Sequence, residues 1–235
     1  MPISHVTGIA CGNGFLSHGK YQGIAPHTHI ISLKILDHLG QGNSSHAISA
    51  FRWILDNAAK YNIKIVNLSI GTNDKKINRP LMNAVEQLWN RGLVVIAAGS
   101  NADGQKNFLP PPVLSPKILT VGAWEDRSYF HTPHRPFLFS EAPHTMPDIW
   151  TYGNDIVSVL SPQFDFSLQN RGTDKIVEEH YIRMSGTSMA TPIISGLAAL
   201  LLEKNPYLTP NQVKKALCHA AEKQDGLLTA SSFLP

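Results

Sequence analysis

The sequence is poor in cysteine, lacks a long apolar run and carries little excess charge. Its 235 residues include two cysteines, Cys11 and Cys218, too few for the disulfide framework of a small secreted domain. The most apolar stretch, 193–202, is about half the roughly 20 residues that a membrane-spanning helix needs. The N-terminal sequence shows no charged segment followed by an apolar one, which is the pattern of a signal peptide. We therefore expect a soluble cytoplasmic protein with two free thiols, with one bond between them as the alternative.

The charge pattern argues against nucleic-acid binding. The net charge is +3, from 20 basic and 17 acidic residues, and the basic residues are scattered rather than clustered as a nucleic-acid surface requires. The sequence has no dense group of aspartates that would predict a calcium site. Neither a metal nor a cofactor is expected. A hydrophobic content of 43% is that of an ordinary globular chain. We predict a single domain over residues 1–235.

Hydrophobic periodicity predicts an α/β fold. Short runs rich in branched apolar residues alternate with amphipathic helices, a pattern typical of a parallel sheet covered by helices on both faces. The predicted strands are 30–36, 63–70, 93–98, 118–123 and 155–160. The predicted helices are 46–61 with Ser44 or Ser45 as cap, 79–92, one after Ser188, and 210–222.

One segment carries the strongest chemical signal. Residues 184–192 read Met-Ser-Gly-Thr-Ser-Met-Ala-Thr-Pro and lead directly into an apolar helix. A helix N-terminus offers unpaired N–H groups and a partial positive charge, which suit a developing oxyanion. The ordinary role of a hydroxyl at this place is a helix N-cap, and Ser185, Thr187 and Ser188 are all candidates for it.

This string resembles the nucleophile segment of the subtilisin-like serine peptidases, the subtilases. Other segments resemble segments of that family and occur in the same order along the chain. The resemblance covers residues 4 to about 222, and the overall sequence pattern is most similar to that of bacterial intracellular subtilases. These segments are His-Val-Thr-Gly-Ile-Ala at 5–10, Gly-Ile-Ala-Pro at 23–26, Val-Asn-Leu-Ser-Ile-Gly at 66–71 and Gly-Leu-Val-Val-Ile-Ala-Ala-Gly-Ser-Asn at 92–101.

The resemblance implies roles for five residues. Ser188 would be the acylating nucleophile, and Asn101 would donate its side-chain N–H to the oxyanion beside the Ser188 backbone N–H. Ser69, Ile70 and Gly71 would pair with the substrate backbone as an added strand and help to form a pocket for an apolar side chain. The implied substrate is a peptide or a protein.

The other two members of a catalytic triad find no match in the sequence. The family's order is Asp, then His, then Ser, with the histidine heading a His-Gly-Thr-His-Val segment whose second histidine is structural. His5 and Val6 match that second histidine, so the catalytic position falls on Pro2. No aspartate precedes Asp37. His5 is the first substitute base that we weigh, against a packed structural role. His27, His29 and His46 have no motif support and are expected to be solvated or hydrogen-bonded.

We therefore expect a subtilase domain that is truncated at its N-terminus and lacks a central strand of the sheet. The function implied is serine endopeptidase chemistry, inactive in this chain alone, with the Asp and the His upstream of the reading frame or on a separate N-terminal segment. The alternatives are a non-catalytic subtilase that binds peptides or a partner, and a decayed gene fragment. Residues 139–153, which depart from the family pattern, favour the alternatives, whereas the intact segment around Ser188 favours an enzyme.

Overall fold

The computed structural model describes residues 3–37, 41–70, 78–99, 115–125, 135–136, 147–162, 175–223 and 227–229. The helices in these ranges are α1 Ile3–Cys11, α2 Ser44–Asn57, α3 Asn78–Asn90, α4 Thr187–Lys204 and α5 Pro210–Glu222, with a 3₁₀ turn at Phe15–Ser17. The strands are β1 Ile65–Leu68, β2 Val94–Ala98, β3 Leu119–Glu125, β4 Arg135–Pro136, β5 Ile149–Tyr152, β6 Ile156–Val159, β7 Ile176–Val177 and β8 Tyr181–Met184. The predicted alternation of helices and strands is confirmed.

The main sheet is parallel along its length. Strands β1, β2, β3 and β5 lie side by side in that order, and the short β4 pairs antiparallel with the end of β3. Every residue of β2 is buried, as expected for a strand covered on both faces. Helix α4 packs across β1, β2, β3 and β5, while α3 and α5 also contact the sheet. The predicted α/β fold with a parallel sheet and helices is confirmed.

A second, antiparallel sheet lies beside α1. Its order is β6-β8-β7, and α1 packs against both β6 and α4. Ile9 of α1 joins Ile182, Met184 and Met189 in a small apolar cluster separate from the main core. The start of α4 is therefore held between the two sheets.

Two local predictions differ from the structure. Residues 30–36 form no strand, and Ile30 and Ile31 are 47% and 43% exposed. A strand needs a neighbour for its backbone groups, and no strand of the described residues pairs with this segment. The cap of α2 is Asn43, whose side chain accepts a hydrogen bond from the Ser45 N–H at 2.9 Å, and not Ser44 or Ser45.

A partly buried charge pair joins α5 to the main sheet. The Lys214 ammonium lies 2.8 Å from a carboxylate oxygen of Asp148 and also donates to the Ile118 carbonyl at 2.7 Å. The other Asp148 oxygen accepts two hydrogen bonds at 2.8 Å, from the backbone N–H and the hydroxyl of Thr120. Both charges therefore have hydrogen-bond partners in addition to each other, the condition under which a partly buried pair is favourable.

We expect Lys214→Met to lower the free energy of unfolding by about 2 kcal/mol, because it leaves the Asp148 carboxylate without its cation and the Ile118 carbonyl without a donor. Urea denaturation followed by circular dichroism measures the change. Lys215→Met is the matched control, since Lys215 is exposed, and it should stay within about 0.5 kcal/mol of the parent. Equal effects of the two substitutions would contradict this account.

Candidate active site

Ser188 is the second residue of α4, and its position is set by the residue before the helix. The N-cap is Gly186, at φ 138° and ψ 170°, without a side-chain cap. This backbone conformation favours glycine, and the Gly186 N–H donates to the Gly153 carbonyl at 2.7 Å. None of the three candidate hydroxyls therefore serves as the N-cap. Ser188 is half-buried in the first turn, where the backbone N–H groups have no helical acceptor.

The structure brings Ser69 and Ser188 together. The Ser69 hydroxyl donates to the Ser188 carbonyl at 3.2 Å, although 119 residues separate them in the chain. Ser69 follows β1 directly, so the end of that strand lies against the first turn of α4. The strand segment predicted to bind substrate is thus adjacent to the predicted nucleophile.

Thr187 ties the helix to the end of β2. Its hydroxyl donates to the Gly99 carbonyl at 2.7 Å, and the Thr191 hydroxyl donates to the Thr187 carbonyl at 2.7 Å. Both threonine side chains are buried. The first turn of α4 is therefore bonded to the ends of β1 and β2, the two strands whose continuations carry the predicted substrate-binding and oxyanion residues.

Ser185 braces the loop that precedes the helix. Its hydroxyl donates to the Asn154 side chain at 2.8 Å and accepts from the Asp155 N–H at 2.9 Å. Asp155 has a left-handed φ of 51°. Sequence reasoning missed the contribution of 153–155, because a turn of this kind acts through backbone groups and has no chemical motif.

The remaining predicted site residues divide into two groups. Ile70 is half-buried and packs against the main core, which fits a pocket wall. Gly71 and Asn101 lie outside the described residues. The assignment of the oxyanion donor to Asn101 therefore stays a prediction.

His5 has a structural position, with its side chain hydrogen-bonded to the backbone of β6 and β8. Its side chain is fully buried, and its Nε2 lies 3.0 Å from the Ile182 carbonyl oxygen and 3.2 Å from that of Ile156. Because carbonyl oxygens only accept, Nε2 carries the proton and donates to β6 and β8. This ring nitrogen already holds a proton and so cannot take one from a serine.

In the described part of the chain, no histidine forms a hydrogen bond with Ser188. His27, His29 and His46 are all exposed, and within the described ranges the hydrogen bond of Ser188 to another side chain comes from Ser69, not from an imidazole. The cysteines do not compete as nucleophiles either. Both are free, and burial raises the pKa of the Cys11 and Cys218 thiols, so both stay protonated at neutral pH.

Neither a metal site nor a membrane span is found where the structure describes the chain. In those ranges no three His, Cys, Asp or Glu side chains are grouped as metal ligands. No helix among the described elements is long and apolar enough to cross a bilayer.

Comparison with known proteins gives a consistent result. The serine protease AprX of Bacillus subtilis (strain 168) is 34% identical, with 94% of this chain and 52% of AprX aligned. The thermophilic serine proteinase of Bacillus sp. (strain AK1) is 32% identical, with 95% of this chain and 47% of that protein aligned. The chain thus spans about half the length of these relatives.

Solved structures and the family profile agree with these relatives. Sphericase superimposes with a TM-score of 0.75 at 25% identity, covering 93% of this chain and 68% of sphericase. The S41 psychrophilic protease gives a TM-score of 0.72, also at 25% identity, over 92% of this chain and 68% of that protein. Residues 4–233 match the subtilase family, Peptidase_S8. The chain therefore belongs to the subtilase family of subtilisin-like serine peptidases.

Proposed function

We propose that this chain provides the nucleophile-bearing part of a subtilisin-type serine endopeptidase, in which Ser188 forms the acyl-enzyme. The observation that carries the proposal is the placement of Ser188 at the start of a buried helix, in contact with Ser69 at the end of β1. In this arrangement a peptide added beside 69–71 would present its carbonyl carbon to the Ser188 hydroxyl.

The reaction proceeds by acyl transfer to Ser188. The Ser188 oxygen attacks the peptide carbonyl carbon, and the carbonyl oxygen becomes an oxyanion. The Ser188 N–H and the Asn101 side-chain N–H donate to that oxyanion in the proposed site. The serine proton must pass to a base and from there to the leaving amine, and an aspartate must orient that base.

Among the residues that the structure describes, none is placed to act as this base. His5 donates its Nε2 proton to two backbone carbonyls, and Pro2 stands at the position that matches the catalytic histidine. The proposed partner is therefore a segment that carries the family's Asp and His motifs, and the proposed substrate is a peptide or a protein. Without that segment we expect no turnover.

Labelling with a fluorophosphonate tests the proposal, because the reagent reacts with an activated serine. The chain alone should show no labelling. Mixed or co-expressed with a segment of a subtilase relative that carries the Asp and His motifs, it should be labelled at Ser188, as peptide mass mapping would show. Ser188→Ala is the control and should abolish the signal.

The outcomes separate the alternatives. Labelling of the unassisted chain would mean that a base exists within it, contrary to the proposal. Absence of labelling in a folded complex with the added segment would favour a non-catalytic subtilase, which binds peptides or a partner without cleaving them. That second function draws its support from Pro2 and from the altered stretch 139–153.

A further inference from the structure

The carbonyl of Ser188 lacks a helical partner. Helix α4 contains Pro192, which has no amide hydrogen, and the carbonyl four residues before it is that of Ser188. The hydrogen-bond ladder of the helix therefore misses this carbonyl. Ser69 donates to it instead, with its hydroxyl oxygen 3.2 Å away. The side chain of the residue that follows β1 thus replaces the hydrogen bond that the proline removes.

The direction of the neighbouring hydrogen bonds follows from this one. A carbonyl oxygen only accepts, so the single Ser69 hydroxyl proton is committed to Ser188. Ser69 Oγ then accepts from the Asn67 side-chain NH₂ group at 3.2 Å. That orientation turns the Asn67 side-chain oxygen towards Ser195, whose hydroxyl oxygen lies 2.8 Å away.

Ser195 decides between two orientations of the Asn67 amide. With the amide turned by half a rotation, its oxygen would take the Ser69 proton and leave the Ser188 carbonyl without a donor. Ser195 would then donate to the Thr191 carbonyl, which is 3.1 Å from its hydroxyl. The Thr191 carbonyl already faces the Ser195 N–H in the helical ladder, whereas the Ser188 carbonyl faces a proline. Donation by Ser195 to Asn67 therefore satisfies one more acceptor.

We propose that Ser195 is a positioning residue for the nucleophile. Its hydroxyl orients Asn67, Asn67 orients Ser69, and Ser69 holds the Ser188 carbonyl and with it the first turn of α4. Ser195 is only 6% exposed and lies on the buried part of an apolar helix. Burying a hydroxyl there costs free energy unless it forms a hydrogen bond. The inference rests on the proposed role of Ser188.

A single NMR signal reports the Ser188 carbonyl. The sequence contains one Ser-Met pair, Ser188-Met189, so a chain labelled with carbonyl-¹³C serine and ¹⁵N methionine gives one carbonyl–amide correlation. We expect Ser195→Ala to move that carbonyl upfield, towards the position in Ser69→Ala, because both weaken its hydrogen bond. Ser195→Thr, which keeps the hydroxyl, should restore the parent position. Asn67→Asp should repeat the upfield shift by a second route, since a carboxylate cannot donate to Ser69.

Ser158→Ala is the matched control. Ser158 is 2% exposed and its hydroxyl donates to the His5 carbonyl at 2.9 Å, so this variant loses a buried hydroxyl that has no connection to Ser188. It should leave the carbonyl signal in place. An unmoved signal in Ser195→Ala, or an equal shift in Ser158→Ala, would overturn the proposal.

Labelling of the complex with the added Asp- and His-bearing segment supplies a functional readout. Ser195→Ala should slow fluorophosphonate labelling roughly fivefold, the effect of one hydrogen bond, and Ser158→Ala should not. A shifted carbonyl with an unchanged labelling rate would also overturn the positioning role. If Ser188 is never labelled in any complex, the endopeptidase proposal fails, whereas the carbonyl shift, measured on the chain alone, still decides whether Ser195 orders the first turn of α4.

Discussion

Peptide hydrolysis by the chain in complex with an Asp- and His-bearing segment should fall about a millionfold when Ser188 is replaced by alanine. That magnitude is the one established for loss of the nucleophile in subtilisin, another member of the family. The rate that survives should be about 10³ to 10⁴ above that in water, because substrate binding and the oxyanion donors remain. The measurement is turnover of a fluorogenic peptide at saturating substrate.

Ser185→Ala is the matched control for this prediction. Ser185 lies three residues before Ser188 and also carries a hydroxyl, but that hydroxyl bonds to Asn154 and Asp155. We expect Ser185→Ala to retain turnover within about tenfold, the range of a lost hydrogen bond. A fall of similar size in both variants would show that Ser188 is not the nucleophile and that the loop as a whole matters.

Replacing His5 by alanine should lower the free energy of unfolding by about 3 kcal/mol. The imidazole is fully buried and donates between the carbonyls of Ile156 and Ile182. Its removal leaves a cavity between α1 and the antiparallel sheet and takes a donor from both strands. Urea denaturation followed by circular dichroism measures the loss.

His29→Ala is the control for His5, because His29 is exposed and its loss should change stability by no more than about 0.5 kcal/mol. A second comparison separates structure from catalysis. Under conditions where His5→Ala remains folded, fluorophosphonate labelling in the complex should persist. Loss of labelling in a folded His5→Ala protein, with unchanged stability, would mean that His5 is the base.

Local signals in the sequence predicted the elements that depend on their own residues. The final helix has the predicted bounds, Pro210–Glu222, because its start is a local capping box in which Thr209 and Gln212 exchange hydrogen bonds. A helix was likewise predicted after Ser188, and α4 begins at Thr187, one residue before that serine. The contacts that decide the start of the final helix lie within four residues.

The strand prediction for 30–36 failed for the opposite reason. Its run of branched residues is typical of a buried strand, but a strand exists only where another backbone accepts its hydrogen bonds. Among the described residues β1 is the edge of the main sheet, and no strand pairs with this segment. The composition of 30–36 shows a preference for the strand conformation, but it contains no information on whether a neighbouring strand is present.

The sequence by itself determined the family, the α/β class and the identity of the proposed nucleophile, since all three depend on short motifs and on periodicity. The tertiary structure alone decided that His5 is a buried donor and that Ser69, Asn67 and Ser195 support the Ser188 carbonyl. These contacts join residues more than 100 positions apart, except for the pair Asn67 and Ser69. The physical reason is that a hydrogen bond depends on a few tenths of an ångström, and only the packed fold brings such distant groups within that range.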